Sequence, residues 1–275
     1  MVSTSVTYTA FAGYIIASGY PDSGMIFVLI GVYLLSSGAA AFNHYLERKT
    51  DLLMTRTKNR PLPSGRISNR FALLFALFCS ISGSLLLFFN AGWLVLLLGI
   101  FNLVWYDFVY TPLKRTTVWA VFIGTITGIV PFYMGYLAAL HQLPDPRANF
   151  IAVFLLIWQI PHFFMLLGIY GKEYELAGLA SITKKTKEPN LFRLAALWLI
   201  ACCILAFSFP VFRIMHFNST AYVIVGISAL VFIITLINLV FDHRKKYKLL
   251  FVLSNVMQLL IITSLVFDSL MQMGM

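Results

Sequence analysis

Residues 43–66 read NHYLERKTDLLMTRTKNRPLPSGR, a polar and charge-dense stretch between two long apolar runs. Asn43, Glu47 and Asp51 are spaced four residues apart. Each step of four advances about 40° around a helix, so the three side chains are expected to share one face. Two carboxylates and an amide oxygen on one stripe suit Mg²⁺, which commonly joins protein carboxylates to phosphate groups. A solvated loop held by local ion pairs would explain the same residues.

Basic side chains at two places in the sequence could bind an anion beside this stripe. Arg56 and Arg60 follow it directly, and their guanidinium groups fit the geometry of diphosphate oxygens. Lys114 and Arg115 come just after Pro112, which is predicted to end the fourth apolar run. Two basic residues after a membrane span are ordinarily topological anchors, and that alternative stays open.

The composition identifies the chain as an all-α integral membrane protein. Of its 275 residues, 60% are hydrophobic and 11% are charged, and its mean hydropathy is +0.87. Soluble domains carry about 25% charged residues. The apolar runs predict one polytopic domain over residues 1–275 with about nine transmembrane helices. They lie near 3–20, 24–43, 70–90, 92–110, 117–139, 149–170, 191–212, 220–241 and 249–268.

The formal charge of +10 is distributed as membrane topology predicts. Of the 20 Lys and Arg residues, 18 fall in the connections after the second, fourth, sixth and eighth runs. The positive-inside rule therefore places these connections and the N-terminus in the cytoplasm, and the C-terminus outside. The basic excess is explained by topology, so no nucleic-acid partner is predicted.

The sixth apolar run carries the second polar cluster, WQIPHF at 158–163. An ionisable side chain within a membrane is costly and usually faces a cavity or another protein group. His162 is thus a candidate site residue, although a histidine hydrogen-bonded to a neighbouring helix is an equal explanation. Glu173, at the end of the same run, is a candidate second carboxylate for a metal; the alternative is an interface residue that reaches towards water.

Together these clusters indicate chemistry on an allylic diphosphate. Such a compound ionises only if its departing diphosphate is neutralised, and Mg²⁺ with Arg and Lys would supply that stabilisation. The apolar tail would lie between helices. A transporter would instead show Gly/Pro-broken helices and charges near the middle of the membrane, whereas almost every charge here is expected at a helix end.

The motifs resemble those of membrane-embedded prenyltransferases of the UbiA superfamily, and within it the protoheme IX farnesyltransferases. The similarity extends over most of the chain. It rests on the stripe followed by MTRTKNRPL, on YTPLKRT, on WQIPHF, and on Tyr174 with Ala177-Gly178. Glu47 and Glu173 stand where that family usually has Asp, so each carboxylate reaches one methylene further.

The resemblance implies nine helices around a central cavity and Mg²⁺-dependent transfer of farnesyl from farnesyl diphosphate to a vinyl group of haem b. Water would add to give a hydroxyethylfarnesyl side chain. It also implies the cell inner membrane, and haem A synthase or cytochrome oxidase assembly proteins as candidate partners. The alternatives are a UbiA-type enzyme with another acceptor, such as a quinone precursor, and a non-catalytic transporter or assembly factor.

Motif position also assigns roles by resemblance. The metal ligands would be Asn43, Glu47, Asp51 and Glu173. The residues in contact with the diphosphate would be Asn43, Arg56, Arg60, Lys114 and Arg115. The catalytic residues would be Asp51, Glu47, Glu173 and His162, and His162 would face the haem or relay protons.

The charge distribution generates a topology prediction. A reporter fused after residue 60 or 185 should read cytoplasmic, and one fused at the C-terminus should read external, because positive connections stay inside. Enzyme-reporter activity in intact cells measures this. A cytoplasmic C-terminus would show that the count of nine spans is wrong by one.

Overall fold

The computed structural model describes residues 2–180, 188–241 and 246–273, and within these ranges the regular elements are helices, with no strand. Lys184, Lys185, Lys187, Arg244 and Lys245, which contribute to the predicted basic connections, lie outside the described residues. The helices are α1 Val2–Ser18, α2 Ser23–Asp51, α3 Asn69–Ala91, α4 Trp93–Val104, a π-helical segment Trp105–Tyr110, α5 Thr111–Thr116, α6 Ala120–Gly124, α7 Ile126–Leu140, α8 Pro146–Leu176, α9 Glu188–Phe207, α10 Asn218–Val240 and α11 Tyr247–Met273.

The described residues form nine helical segments across the bundle, which confirms the predicted all-α membrane fold. The α4, π-helical and α5 elements run continuously as one segment, and α6 and α7 form another. Eight segments are at least 18 residues long and apolar enough to cross a membrane. The ninth, α1, has 17 residues, about 25 Å at the helical rise per residue.

Polar residues in the connections cap the N-termini of several helices. Asp22 and Asp145 accept hydrogen bonds from backbone N–H groups in the first turns of α2 and α8, as does Ser68 in α3. Such N-caps satisfy donors that have no partner within the helix. Their positions set where each span begins.

The two helices that carry the polar clusters continue beyond their predicted ends. α2 extends from Ser23 to Asp51 and α8 from Pro146 to Leu176, which brings both polar clusters onto regular helix. The prediction that Pro112 ends the fourth span is wrong. The widened π-helical turn at Trp105–Tyr110 precedes Pro112 and relieves the clash that a proline ring makes with the preceding turn of an α-helix.

Close helix packing holds the bundle together. α1 and α7 cross where Gly13 and Gly135 lie: a Cβ atom added to Gly13 would sit 2.1 Å from the Phe132 carbonyl oxygen, and one added to Gly135 would sit 1.9 Å from the Ala10 carbonyl oxygen. Small residues permit such approaches between membrane helices. The last helix returns to the first, where the Tyr8 hydroxyl is 2.7 Å from the Thr263 hydroxyl.

Candidate active site

The carboxylate stripe of α2 is buried within the bundle. Asn43, Glu47 and Asp51 are 4%, 6% and 1% exposed, although they occupy the polar end of the helix. They lie on one face, as their four-residue spacing predicts. Because buried carboxylates are costly without partners, the groups that face them define the site.

The helix that carries Pro112 supplies partners for two members of the stripe. The Asn43 amide nitrogen donates to the Thr111 hydroxyl at 2.8 Å, and that hydroxyl donates to the Tyr106 carbonyl at 2.9 Å. The Lys114 ammonium lies 2.6 Å from Glu47 Oε1. The predicted neighbourhood of Lys114 and the stripe is therefore present.

The third member of the stripe pairs with the segment that follows it. Arg60 Nη1 lies 2.8 Å from Asp51 Oδ2, and the Thr57 hydroxyl donates to the Asp51 carbonyl at 2.9 Å. The other Asp51 oxygen, Oδ1, is buried and has no hydrogen-bond partner among the described residues. Chain 52–60 thus folds back over the stripe, with one carboxylate oxygen left for a ligand.

The end of α8 closes the site from the opposite side. The Thr55 hydroxyl donates to Glu173 Oε1, while Glu173 Oε2 has no partner within the described residues. The Arg56 guanidinium lies 5.1 Å from the centre of the Tyr170 ring. The backbone N–H of Ala180 donates to the Lys114 carbonyl at 3.0 Å, so α5, α8 and the segment after α2 meet at one place.

Two predicted residues lie less centrally. Arg115 is exposed, and its guanidinium donates to the Leu46 carbonyl at 3.0 Å, which fastens α5 to α2. His162 is half-buried and faces α11, with its ring centre 5.1 Å from that of Trp158 and 4.9 Å from that of Phe251. Its Nδ1 atom is buried and lacks a partner in the part of the chain that the structure describes. The structure does not bring His162 to the carboxylates.

The donor set fits Mg²⁺ held jointly by protein and ligand. Among the described residues, no three His, Cys, Asp or Glu side chains are close enough to hold a metal by themselves. Mg²⁺ usually takes one or two carboxylates, keeps several waters and binds substrate phosphates. Asp51 Oδ1 and Glu173 Oε2, the unpartnered oxygens on two sides of the site, are suitable ligands for that mode.

An apolar cavity continues from the stripe along α2. It has an empty volume of about 590 Å³ and is bounded on α2 by Ala40, Ala39, Ser36, Leu35 and Val32. These residues precede Asn43 by three to eleven positions, and 11 residues of helix span about 16 Å.

A second cavity lies beside Lys114, between α5, α6 and α8. Its empty volume is about 440 Å³, and its walls include Tyr110, Phe163 and Tyr174. The polar site thus adjoins two separate apolar spaces.

Sequence reasoning missed Asp107. This residue is fully buried in the π-helical segment, in the middle of a membrane span, so the expectation that charges lie almost entirely at helix ends is wrong here. The signal was available: an acidic residue inside an apolar run is a functional candidate by itself. Thr111 was also missed, and a threonine in a helix carries no comparable signal.

The fold and this site define a polytopic membrane protein with an acidic and basic cluster above an apolar cavity. The model of the UbiA prenyltransferase family matches residues 6–259. The chain therefore belongs to the UbiA prenyltransferase family.

Individual relatives agree with this assignment. A protoheme IX farnesyltransferase from Geobacter sulfurreducens is 36% identical over 75% of this chain and 76% of that relative. One from Solibacter usitatus is 39% identical over 56% of this chain, and the match spans about half of that relative's length, 53%. A solved structure of a UbiA homologue from Archaeoglobus fulgidus bound to GPP and Mg²⁺ has the same fold, with a TM-score of 0.72 at 15% identity over 98% of this chain and 97% of that one.

The Asp51 geometry predicts the effect of removing its charge. Asp51→Asn keeps the side-chain shape, so the protein should still insert into membranes. Turnover should fall by on the order of 10²-fold or more, as when a group that stabilises transition-state charge is lost. Steady-state prenyl transfer measures this, with Glu47→Asp as the companion that should retain activity. Near-normal turnover of Asp51→Asn with unchanged Mg²⁺ dependence would remove Asp51 from the site.

Proposed function

We propose that this protein transfers a farnesyl group from farnesyl diphosphate to a vinyl group of haem b, with Mg²⁺-assisted loss of diphosphate. The observation that carries the proposal is that a polar site and an apolar cavity adjoin each other along α2. The buried stripe of Asn43, Glu47 and Asp51 leads directly into the apolar cavity further along the same helix. A ligand with a charged head and a long apolar tail matches both parts.

The dimensions favour a tail of about farnesyl length. Val32 is the α2 residue of the cavity wall that lies furthest from Asn43. The two are 11 positions apart, which corresponds to about 16 Å along the helix axis. An extended chain advances about 1.2 Å per bond, so the roughly 12 bonds of a farnesyl main chain span about 14 Å.

The basic residues would hold the diphosphate as its bond to carbon breaks. Lys114 and Arg60 neutralise Glu47 and Asp51 in the structure, and each cation is close enough to the stripe to transfer its donors to phosphate oxygens. Bound Mg²⁺ would supply further positive charge there, with Asp51, Glu47 and Glu173 as its protein ligands and the Asn43 amide beside them. Developing negative charge on the leaving diphosphate would therefore meet preorganised cations.

The acceptor is proposed from relatives and from the second cavity. Relatives at 36% and 39% identity are named protoheme IX farnesyltransferases. The cavity beside Lys114 has mainly apolar walls and one ammonium group, so we place the approach of an apolar acceptor that carries an acidic group there. His162 is proposed to act on the acceptor side, because its unpartnered Nδ1 lies deeper in α8 than Glu173.

The cellular setting belongs to the same proposal. We place the multi-pass chain in the cell inner membrane, with the carboxylate site on the cytoplasmic side and the C-terminus outside. The asymmetric distribution of its basic residues supports this orientation. Residues 1–275 are taken as one prenyltransferase domain, since the family model matches residues 6–259. Haem A synthase and cytochrome oxidase assembly proteins are its candidate partners.

Pigment analysis tests this function. Cells that express the chain should accumulate haem b that has gained a farnesyl group and a hydroxyl group, detected by mass spectrometry of extracted haem. The Asp51→Asn variant at equal membrane abundance is the matched control and should lack the product. A prenylated aromatic product with haem unchanged would show a quinone-type acceptor, and no prenylated product of either kind would favour a non-catalytic protein.

The two substrates should separate at Lys114 and His162. Lys114→Ala should weaken binding of a non-hydrolysable farnesyl diphosphate analogue, because it removes a cation beside Glu47. His162→Ala should leave that binding nearly intact and should weaken haem binding or stop transfer. Isothermal titration with each ligand measures both effects. If His162→Ala loses the analogue but binds haem normally, the two ends of the site are assigned the wrong way round.

A further inference from the structure

Asp107 is a buried acid that the proposed diphosphate site does not use. It is 0% exposed, and neither of its carboxylate oxygens has a hydrogen-bond partner among the described residues. A carboxyl group in that condition is costly, and within a membrane span it is a functional candidate. It also lies in a π-helical segment, an irregularity found frequently at functional sites.

The alignment of two helices places Asp107 at the level of the apolar cavity. The bond between Asn43 and Thr111 sets these two residues opposite each other, and the Glu47–Lys114 pair one turn further on gives the same parallel alignment. One turn in the other direction, Tyr106 and Asp107 come to the level of Ala39 and Ala40 on α2, because a π-helical turn takes between four and five residues. Both alanines line the cavity that is proposed to hold the prenyl tail.

Asp107 lies in the helical segment whose tyrosines border both cavities, although its own side chain lines neither of them. Its neighbour Tyr106 lines the cavity along α2, and Tyr110, one turn on, lines the cavity beside Lys114. The two tyrosine rings stack, with centres 5.8 Å apart. If the two cavities hold the two substrates, as proposed above, the carbon–carbon bond forms at this segment. Because Asp107 is shielded in this structure, water reaches it only when this segment moves.

The reaction, if the proposed function holds, needs a base at this place. The bond between C1 and the diphosphate oxygen breaks, and its electron pair leaves with the diphosphate. The vinyl π electrons then form a bond from the terminal vinyl carbon to C1, which leaves a cation on the vinyl carbon attached to the porphyrin ring. A water oxygen adds to that carbon, and the added water must lose one proton.

We propose that Asp107 is the general base that accepts this proton. The carboxylates at the polar end have another proposed role: Glu47, Asp51 and Glu173 are the protein ligands assigned to Mg²⁺. Within the described residues, Asp107 is the carboxyl group that lies deeper in the membrane on this face and has no bonded partner. The inference rests on the proposed function, because the water step belongs to the haem acceptor.

The test compares Asp107→Asn with wild type in the full-length chain, using farnesyl diphosphate, haem and Mg²⁺ in lipid nanodiscs. General-base catalysis contributes about 10²–10⁴-fold, so kcat should fall at least about 100-fold. The KM for farnesyl diphosphate should stay nearly unchanged, because Asp107 is not assigned to the binding of that substrate. The wild-type solvent deuterium isotope effect should disappear or change in the variant. Asp107→Glu should recover part of kcat.

Asp145→Asn is the matched control. It makes the same chemical change at an exposed N-cap, where Asn and Asp are nearly equivalent, and it should keep full activity. The base assignment is overturned if Asp107→Asn keeps kcat within threefold, in which case the departing diphosphate takes the proton. It is also overturned if the melting temperature and both KM values change together with kcat. A wild-type chain that binds farnesyl diphosphate but never prenylates haem overturns the proposed function itself. This result differs from failure of the Asp107 proposal, because here the wild type is inactive.

Discussion

The polar end of the bundle is organised by charge compensation away from water. Glu47 and Asp51 are almost completely buried, and burial of an unpaired carboxylate would be strongly unfavourable. Lys114 from α5 and Arg60 from the segment after α2 neutralise them. These pairs therefore determine how α5 and chain 52–60 dock on α2. Removing either partner would leave a buried charge, so structure and ligand binding depend on the same few groups.

This arrangement links the packing of the membrane helices to chemistry. The close crossing of α1 and α7 at Gly13 and Gly135 stabilises one side of the bundle, and the cavity along α2 lies where α1, α2, α4 and α7 meet. The cations lie on the carboxylates of the stripe, further along α2 towards its polar end. A tailed diphosphate bound there would have its reacting carbon at the boundary between charged and apolar surroundings, where electrostatic stabilisation is strong because water is scarce.

Much of this was predictable from sequence, because the signals were local. The spacing of Asn43, Glu47 and Asp51 predicted a shared helix face, and the apolar runs predicted nine helices. The partners of those residues were less accessible to sequence reasoning. Thr111 meets Asn43 across 68 positions in sequence, and no periodicity reveals such a contact. Pro112 was misread as a helix end because the π-helical turn before it is a tertiary adaptation. His162 was rightly placed in a span, but which neighbour it faces required the packing of α8 on α11.

A structure determined with a non-hydrolysable farnesyl diphosphate analogue and Mg²⁺ would measure the distance between Lys114 Nζ and Glu47 Oε1 directly. That distance is 2.6 Å here. If these charges are exchanged for those of the ligand, it should lengthen beyond about 4 Å, the limit for an ion pair, with Lys114 on a phosphate oxygen and the prenyl tail beside Ala39 and Ala40. An intact Glu47–Lys114 pair with the analogue bound elsewhere would contradict this description of the site.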